Sequence, residues 1–470
     1  MNFYKEAAKI LDKIESKKGS VKGCLSLAAE RDRKRLGALI LETLKMKPVI
    51  LAIIEATPMM RDERRHVPCK NLAILLVHDL LFTHGGIQAA DGPIKQAIHR
   101  HKTRLQAELV KLKIRKGVHT NQELAQPNDP RASTIPRYLR VNRNKWSAQD
   151  AVEYYTAHAY IQIDGGSGLP SQNQFVRDKH VPDLFIFNPA YPIHSDDAYN
   201  TGKMLAQDKA SCLPALVLNP PASDDTHVID ATAAPGNKTS HLSALMGNKG
   251  KIFAFEKNQR RFKTLEQMLS KAGCENVRPL LGDFLSQDPR DKNFRKVTHI
   301  LLDPSCSGSG IVNRLDYLTQ EDAAEDNSES RLVALSAFQK RMILHAMQFP
   351  AVTRIVYSTC SVNVEENEAV VREVLEDGTT FERGFGLAPR SQVLSRWARR
   401  GISHEGLGSE QIDALIRCSP GEDEPGTNGF FVACFVRDHP VQTNKTSSSK
   451  RKRVNLESGE GSKRRKFPKV

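Results

Sequence analysis

Apolar residues recur near helical spacing through the first quarter of the chain, and the pattern predicts helices at 2–14, 31–46, 72–82 and 94–114. Gly85-Gly86 and Asp91-Gly92-Pro93 punctuate them. Residues 126–134, rich in Pro, Asn, Asp and Ser, predict a linker and a domain boundary near 130. Short β-like pieces at 137–141 and 184–187 then surround a predicted helix at 148–158 and a Gly165-Gly166-Ser167-Gly168 loop, which outlines a small α+β module. From about 200 the pattern alternates, with strands predicted at 227–230, 251–256, 298–303 and 354–358 and helices at 239–246, 260–272 and 332–347. That alternation predicts a doubly wound, Rossmann-like parallel sheet. Gly429 to Phe435 predicts a final buried strand, and the acidic stretch 316–330 predicts a solvated insertion.

The expected organisation is a helical domain over 1–125, an α+β module of RRM-like type over 130–205, a Rossmann-like α/β domain over 206–440 and a tail over 441–470. Charge sharpens it. Of the net +15, residues 1–120 carry +12, residues 121–440 carry −5 and residues 441–470 carry +8. Two basic ends around a mildly acidic middle suit ends that grip a polyanion. On the predicted helix 94–114 and just beyond it, Lys95, Arg100, Lys102, Arg104, Lys111, Lys113, Arg115 and Lys116 form a basic surface, for phosphate or simply for solvent. The tail clusters Lys450-Arg451-Lys452-Arg453 and Lys463-Arg464-Arg465-Lys466 suit nuclear import or non-specific RNA contact. Eight cysteines include no Cys-x-x-Cys pair, so neither a metal site nor a disulfide framework is indicated, and reduced thiols are expected. No stretch approaches 18 apolar residues, so neither a membrane span nor a signal peptide is expected.

Candidate chemistry gathers where the predicted strands end. The first runs into Asp230-Ala231-Thr232-Ala233-Ala234-Pro235-Gly236-Asn237-Lys238-Thr239, a small-residue turn opening a helix. It matches neither the Walker loop nor the dinucleotide fingerprint, which leaves a nucleoside without a polyphosphate. Glu256 ends the second strand, where an acid accepts hydrogen bonds from ribose hydroxyls. With Asp283 in Leu281-Gly282-Asp283-Phe284, placed for an adenine amino group, and Asp303 after the next strand, it outlines an S-adenosyl-L-methionine pocket. Any one of these acids, taken alone, also suits a helix cap.

Two cysteines occupy the same expected edge, Cys306 in Asp303-Pro304-Ser305-Cys306-Ser307-Gly308 and Cys360 in Tyr357-Ser358-Thr359-Cys360-Ser361. A thiolate adding to pyrimidine C6 makes C5 nucleophilic enough to accept a methyl group. Lys238 is placed to favour a thiolate, steady a phosphate or hold the cytosine carbonyl, and Asp303 to hold or protonate N3. Composition does not say which cysteine attacks, and two buried structural cysteines are the plain alternative. Glu365, Glu366 and Glu368 suit the capped start of a helix.

The Asp-x-x-Ala-Ala-Pro-Gly-x-Lys-Thr turn, the two cysteine segments and Glu366-Asn367-Glu368 together resemble the Sun-domain RNA cytosine-5 methyltransferases, which include bacterial RsmB. The resemblance runs from about Arg137 to Phe435, with Arg140-Val141-Asn142 similar to a signature of the preceding module. It implies Cys360 as nucleophile, Cys306 as the cysteine that assists product release, and Thr232, Ala233, Ala234, Pro235, Gly236, Asn237, Lys238, Glu256, Arg261, Asp283 and Asp303 at cofactor positions. Many relatives have Cys at Thr232 and Gly at Asn237; neither departure deletes a group the chemistry requires. The opening region, Asn237, the Pro-Ser-Cys form and the basic tail resemble the branch acting on large-subunit ribosomal RNA. The resemblance thereby implies a monomeric enzyme acting on that RNA or a pre-ribosomal particle in the nucleus or nucleolus. The rivals are a DNA cytosine-5 methyltransferase, which would make Cys306 the attacker, and a non-catalytic RNA-binding assembly factor.

Overall fold

The computed structural model describes residues 1–16, 24–25, 28–125, 131, 135–165, 168–312, 325–420 and 426–437. The predicted tail therefore lies outside the described residues, as does nearly all of the predicted linker.

The first domain is helical, as its periodicity predicts. Asn2–Glu15, Glu30–Glu55, Lys70–Phe82, Pro93–Arg100 and Lys102–Lys116 bury one shared core that includes Tyr4, Leu36, Ile50, Leu75 and Leu105. Two boundaries differ from expectation. Glu30–Glu55 runs nine residues past the predicted end and through Pro48, because Val49, Ile50, Ile53 and Ile54 continue its buried face. The single helix predicted over 94–114 is two helices that meet at His101. No Pro or Gly marks that break; Glu63 takes Arg100 in two hydrogen bonds of 2.8 and 2.6 Å and lies 3.5 Å from His101.

The module is a five-stranded sheet of order β2-β3-β4-β1-β5, with β1 Arg137–Val141, β2 Ile161–Gln162, β3 Gln174–Arg177, β4 Leu184–Phe187 and β5 Met204–Ala206. Ala148–Ala157 packs on it through Tyr155, whose ring lies among Phe175, Phe185 and Phe187. β1 announces itself by its five residues and β4 by an unbroken Leu-Phe-Ile-Phe run; β2, β3 and β5 have neither that length nor so long an apolar run.

The large sheet has the order β11-β13-β10-β9-β6-β7-β8, with β12 on β13. β6 is His227–Asp230, β7 Lys251–Glu256, β8 Val277–Leu281, β9 Val297–Leu302, β10 Arg354–Thr359, β11 Gly386–Leu387, β12 Ile416–Cys418 and β13 Phe430–Val436. β6 to β10 are parallel, and the chain reverses its direction of winding between β6 and β9, where open α/β sheets bind ligands. β11, β12 and β13 pair antiparallel, so the sheet is mixed and not wholly parallel. A strand buried on both faces is a continuous apolar run in either direction, and Phe430–Val436 carries no mark of its polarity. The predicted insertion 316–330 ends inside a helix, Glu325–Met347; its earlier part lies outside the described residues.

Candidate active site

The turn after β6 is fixed from both sides. Ala231 N donates to Leu301 O of β9 (3.0 Å) and Ala233 N to Phe255 O of β7 (2.9 Å). Asp230, almost fully buried, accepts from Thr239 Oγ1 at 2.7 Å and from Thr232 N at 3.3 Å. Gly236 has φ 113°, and a Cβ there would meet Met268 Cγ at 3.0 Å, so glycine is required by conformation and by space. The helix Asn237–Leu245 begins at that glycine and leaves its first N–H groups without helical partners.

Burial pushes the Asp230 carboxyl up to about 6, against the Thr239 and Thr232 hydrogen bonds. A folded-state pKa above the unfolded value means that the native protein binds the extra proton, so this residue makes stability fall as pH rises from about 4 to about 6. Asp230→Asn is expected to flatten the unfolding free energy across that window. An unchanged slope in denaturant melts at pH 4, 5 and 6 would contradict it.

Three acids occupy successive strand ends. Glu256 closes β7, is buried, and accepts from Asn258 N at 2.8 Å. Arg261 Nε stands 3.5 Å from Glu256, and its Nη2 donates to Ala234 O at 2.6 Å, so the arginine spans from the acid to the turn. Asp283 follows β8 and caps a short helical turn through Leu285 N at 3.0 Å, so the capping alternative is realised there. Asp303 follows β9. Its backbone N donates to Thr232 Oγ1 (3.0 Å), its Oδ1 accepts from Ser358 Oγ (2.8 Å), and its Oδ2 accepts from Lys238 Nζ (2.7 Å). Burial pulls the Lys238 pKa down, but Asp303 more than offsets it and the net direction is up. Lys238 is thus first an ion-pair partner of Asp303. Its charge also draws the Cys360 thiol down, less strongly than other groups push it up.

This donor set suits S-adenosyl-L-methionine. Acids at the ends of β7, β8 and β9 offer acceptors for a ribose diol, an amino group and an ammonium, and Ala231, Ala233 and Ala234 put no bulky side chain beside the turn's backbone.

The cysteines converge as the sequence suggests. Cys306 Sγ lies 3.2 Å from Cys360 Sγ, both thiols are partly buried, and Gly310 N donates to Cys360 O at 3.0 Å. Gly310 itself is pressed against Gly429, whose carbonyl oxygen would stand 2.3 Å from any added Cβ. Two thiols this close do not ionise independently. The hydrogen bond from Cys360 lowers the pKa of Cys306, and that same bond, with burial, raises that of Cys360.

Of the three glutamates read as a capped helix start, Glu365 is exposed and a helix does begin at Glu368, but Glu366 and Glu368 turn inward. With Asn367 between them they are fully buried. Glu366 accepts from Ser307 N (2.8 Å), Ser307 Oγ (2.6 Å) and Gln339 Nε2 (3.1 Å). Asn367 accepts from Thr359 Oγ1 (2.6 Å) and donates to Ser361 O (3.0 Å). Glu368 pairs with Arg417, which also donates to Val362 O at 2.9 Å. Tertiary partners far along the chain override the local capping signal. Gln339 and Arg417 were invisible to sequence reasoning, since nothing adjacent to either marks it.

Comparison with known proteins shows the family. Three family models match in order: the N-terminal domain of NOL1/NOP2/Sun domain family member 5 over 34–125, its ferredoxin-like domain over 135–207, and 16S rRNA methyltransferase RsmB/F over 215–436. A 25S rRNA (cytosine-C(5))-methyltransferase of Schizosaccharomyces pombe is 42% identical over 95% of this chain and 93% of its own length. A 28S rRNA (cytosine-C(5))-methyltransferase of Mus musculus is 39% identical over 94% and 92%. The chain belongs to the Sun-domain RNA cytosine-5 methyltransferase family. A solved structure of a methyltransferase homologue from Pyrococcus horikoshii shares the fold, with a TM-score of 0.50 and 23% identity over 81% of this chain and 99% of its own.

The Sun-domain signature Arg140-Val141-Asn142 docks the module onto the catalytic domain. Arg140 is fully buried and donates to Gln207 Oε1 (2.7 Å) and to Ser240 Oγ (2.9 Å), on the helix that carries Lys238. Asn142 Nδ2 donates to Gly202 O and Ala272 O, each at 2.8 Å. Between the same two bodies, Lys209 Nζ meets Asp178 Oδ2 at 2.6 Å with both side chains fully buried.

Proposed function

We propose that this chain transfers the methyl group of S-adenosyl-L-methionine to C5 of a cytosine in large-subunit ribosomal RNA, with Cys360 as the nucleophile. The observation that carries the reading is the pair of thiols 3.2 Å apart beside the Lys238–Asp303 ion pair at the carboxyl edge of the sheet. Bound S-adenosyl-L-methionine supplies an electrophilic methyl group on a sulfonium sulfur. The Cys360 thiol proton passes to Cys306 Sγ, 3.2 Å away, and from there to solvent as Cys360 Sγ adds to C6, and the electron pair displaced from the C5–C6 bond makes C5 nucleophilic. Asp303 faces N3, and a proton passing from Lys238 Nζ through the carboxylate neutralises charge developing there. Once C5 is methylated, Cys306 as thiolate removes the C5 proton, the C5–C6 double bond re-forms, Cys360 leaves as thiolate, and the proton at N3 returns through Asp303 to Lys238. Thr232 to Lys238, Glu256, Arg261, Asp283 and Asp303 hold the cofactor. All these groups come from one chain, which is proposed to act as a monomer. Among the described residues no helix is long and apolar enough to cross a membrane and no metal-binding cluster occurs. Purified enzyme should place new 5-methylcytosine in ribosomal RNA, mapped by bisulfite sequencing; its absence with intact protein and cofactor would favour the assembly-factor rival.

The target cytosine must leave its stack before a thiol reaches C6, so the enzyme needs a grip on the surrounding RNA. The helical domain is proposed to provide it. Lys102, Arg104, Lys111, Arg115 and Lys116 are exposed along Lys102–Lys116, and Glu63 draws Arg100 to the turn that bears the exposed Arg64 and Arg65. Replacing Arg64, Arg65, Lys111 and Arg115 with Glu should weaken RNA binding and flatten its log–log salt dependence by about one for each phosphate that is no longer neutralised. An unchanged slope in filter binding contradicts this role. The basic tail clusters support nuclear and nucleolar residence, which a fluorescent fusion lacking residues 441–470 tests.

A further inference from the structure

Each cysteine is held on both sides. Gln339 Nε2 donates to Ser305 O at 3.1 Å and Glu366 takes the backbone and hydroxyl of Ser307, so both neighbours of Cys306 are fixed. Asn367 does the same for Cys360 through Thr359 and Ser361. Glu366 and Asn367 are consecutive, and Tyr357 OH on β10 donates to Glu366 O at 2.6 Å, anchoring that junction to the strand that ends beside Cys360. Among the described residues no other buried carboxylate bridges the two loops. Ser361 Oγ reaches Ser307 Oγ at 3.2 Å and Ser309 Oγ at 3.0 Å, but through rotatable hydroxyls.

We propose that Glu366 is a positioning residue for the release step: its carboxylate holds the Cys306 loop so that Cys306 Sγ reaches the C5 proton while Cys360 is still bonded to C6. This rests on the division of roles between the cysteines under the proposed function. In the step concerned, the C5–H bond breaks toward Cys306, the C5–C6 double bond forms and the Cys360–C6 bond breaks with its electron pair on sulfur. Addition of Cys360 to C6 and methylation of C5 need only the Asn367 side of the junction. Loss of the Glu366 hydrogen bonds therefore leaves the early steps intact and strands the enzyme on its methylated product.

The test uses full-length protein, S-adenosyl-L-methionine and ribosomal RNA transcript. Glu366→Ala removes all three accepted hydrogen bonds, and Glu366→Asp draws the carboxylate back from Ser307 with less risk to folding. Both should accumulate an RNA–protein adduct on denaturing gels and lose turnover on the order of 10²-fold, as expected for a reacting group misplaced by about an ångström. Methyl incorporation in the first turnover should stay near that of the unmodified enzyme. Glu366→Gln, which keeps an acceptor for Ser307 N and Gln339, should restore most turnover. A merely structural role would lower first-turnover methylation and adduct together. That result in folded Glu366→Asp overturns the proposal, as does normal turnover without adduct. Cys306→Ala and Cys360→Ala run in parallel: if the first gives no adduct or the second still gives one, the underlying assignment of the cysteines falls, and this proposal with it.

Discussion

Cys360→Ala is expected to cut methyl incorporation by roughly 10³-fold or more, because it removes the thiol that adds to C6 and leaves Cys306, 3.2 Å away, in its release role. Cys306→Ala is expected to differ in kind. It leaves the nucleophile in place 3.2 Å from where its partner was, removes the proton acceptor for elimination, and so holds RNA covalently on the enzyme. Radiolabelled methyl transfer and denaturing gels on the two variants separate these outcomes. The DNA-methyltransferase rival predicts the reverse assignment, with Cys306 forming the bond.

The second large effect is on stability. Asp178→Ala should lower the unfolding free energy by about 3–5 kcal/mol, the range for removing one partner of a buried ion pair. The Lys209 ammonium would be left fully buried, 5.4 Å above the Trp397 ring, and His180 N and Val181 N would each lose a 2.8 Å bond to Asp178 Oδ1. The neighbouring His180 already has its pKa pushed down to about 4, first by burial and then by Lys209. Pairing Asp178→Leu with Lys209→Met should recover part of the loss by removing the stranded charge, though not the two backbone bonds. Denaturant melts decide the matter: a cost below about 1 kcal/mol for Asp178→Ala would mean that water reaches the pair.

The strands β6, β7 and β10 were legible almost to the residue because each is an apolar run bounded by a polar or glycine-rich turn. Their carboxyl ends carried Asp230, Glu256 and Cys360, so the main constellation followed from topology alone. The module's strands β2, β3 and β5 were not legible, since they have neither the length of β1 nor the apolar run of β4, and neither was the direction of β13. The site's second layer was hidden for another reason. Glu366, Asn367 and Glu368 stand in consecutive positions and have the residue types of a helix start, and only the return of Gln339 and Arg417 from distant segments makes them a clamp on two loops. Lys238 showed the same limit, because the turn announced a cation but not that Asp303 would be its ion-pair partner.

The central claim is that Cys360 forms the bond to the base. RNA carrying 5-fluorocytidine at the target position presents fluorine where the enzyme must remove a proton, so elimination stops and the adduct persists. Digestion and mass spectrometry of that adduct should find the nucleotide on the peptide containing Cys360; a nucleotide on the Cys306 peptide would contradict the account.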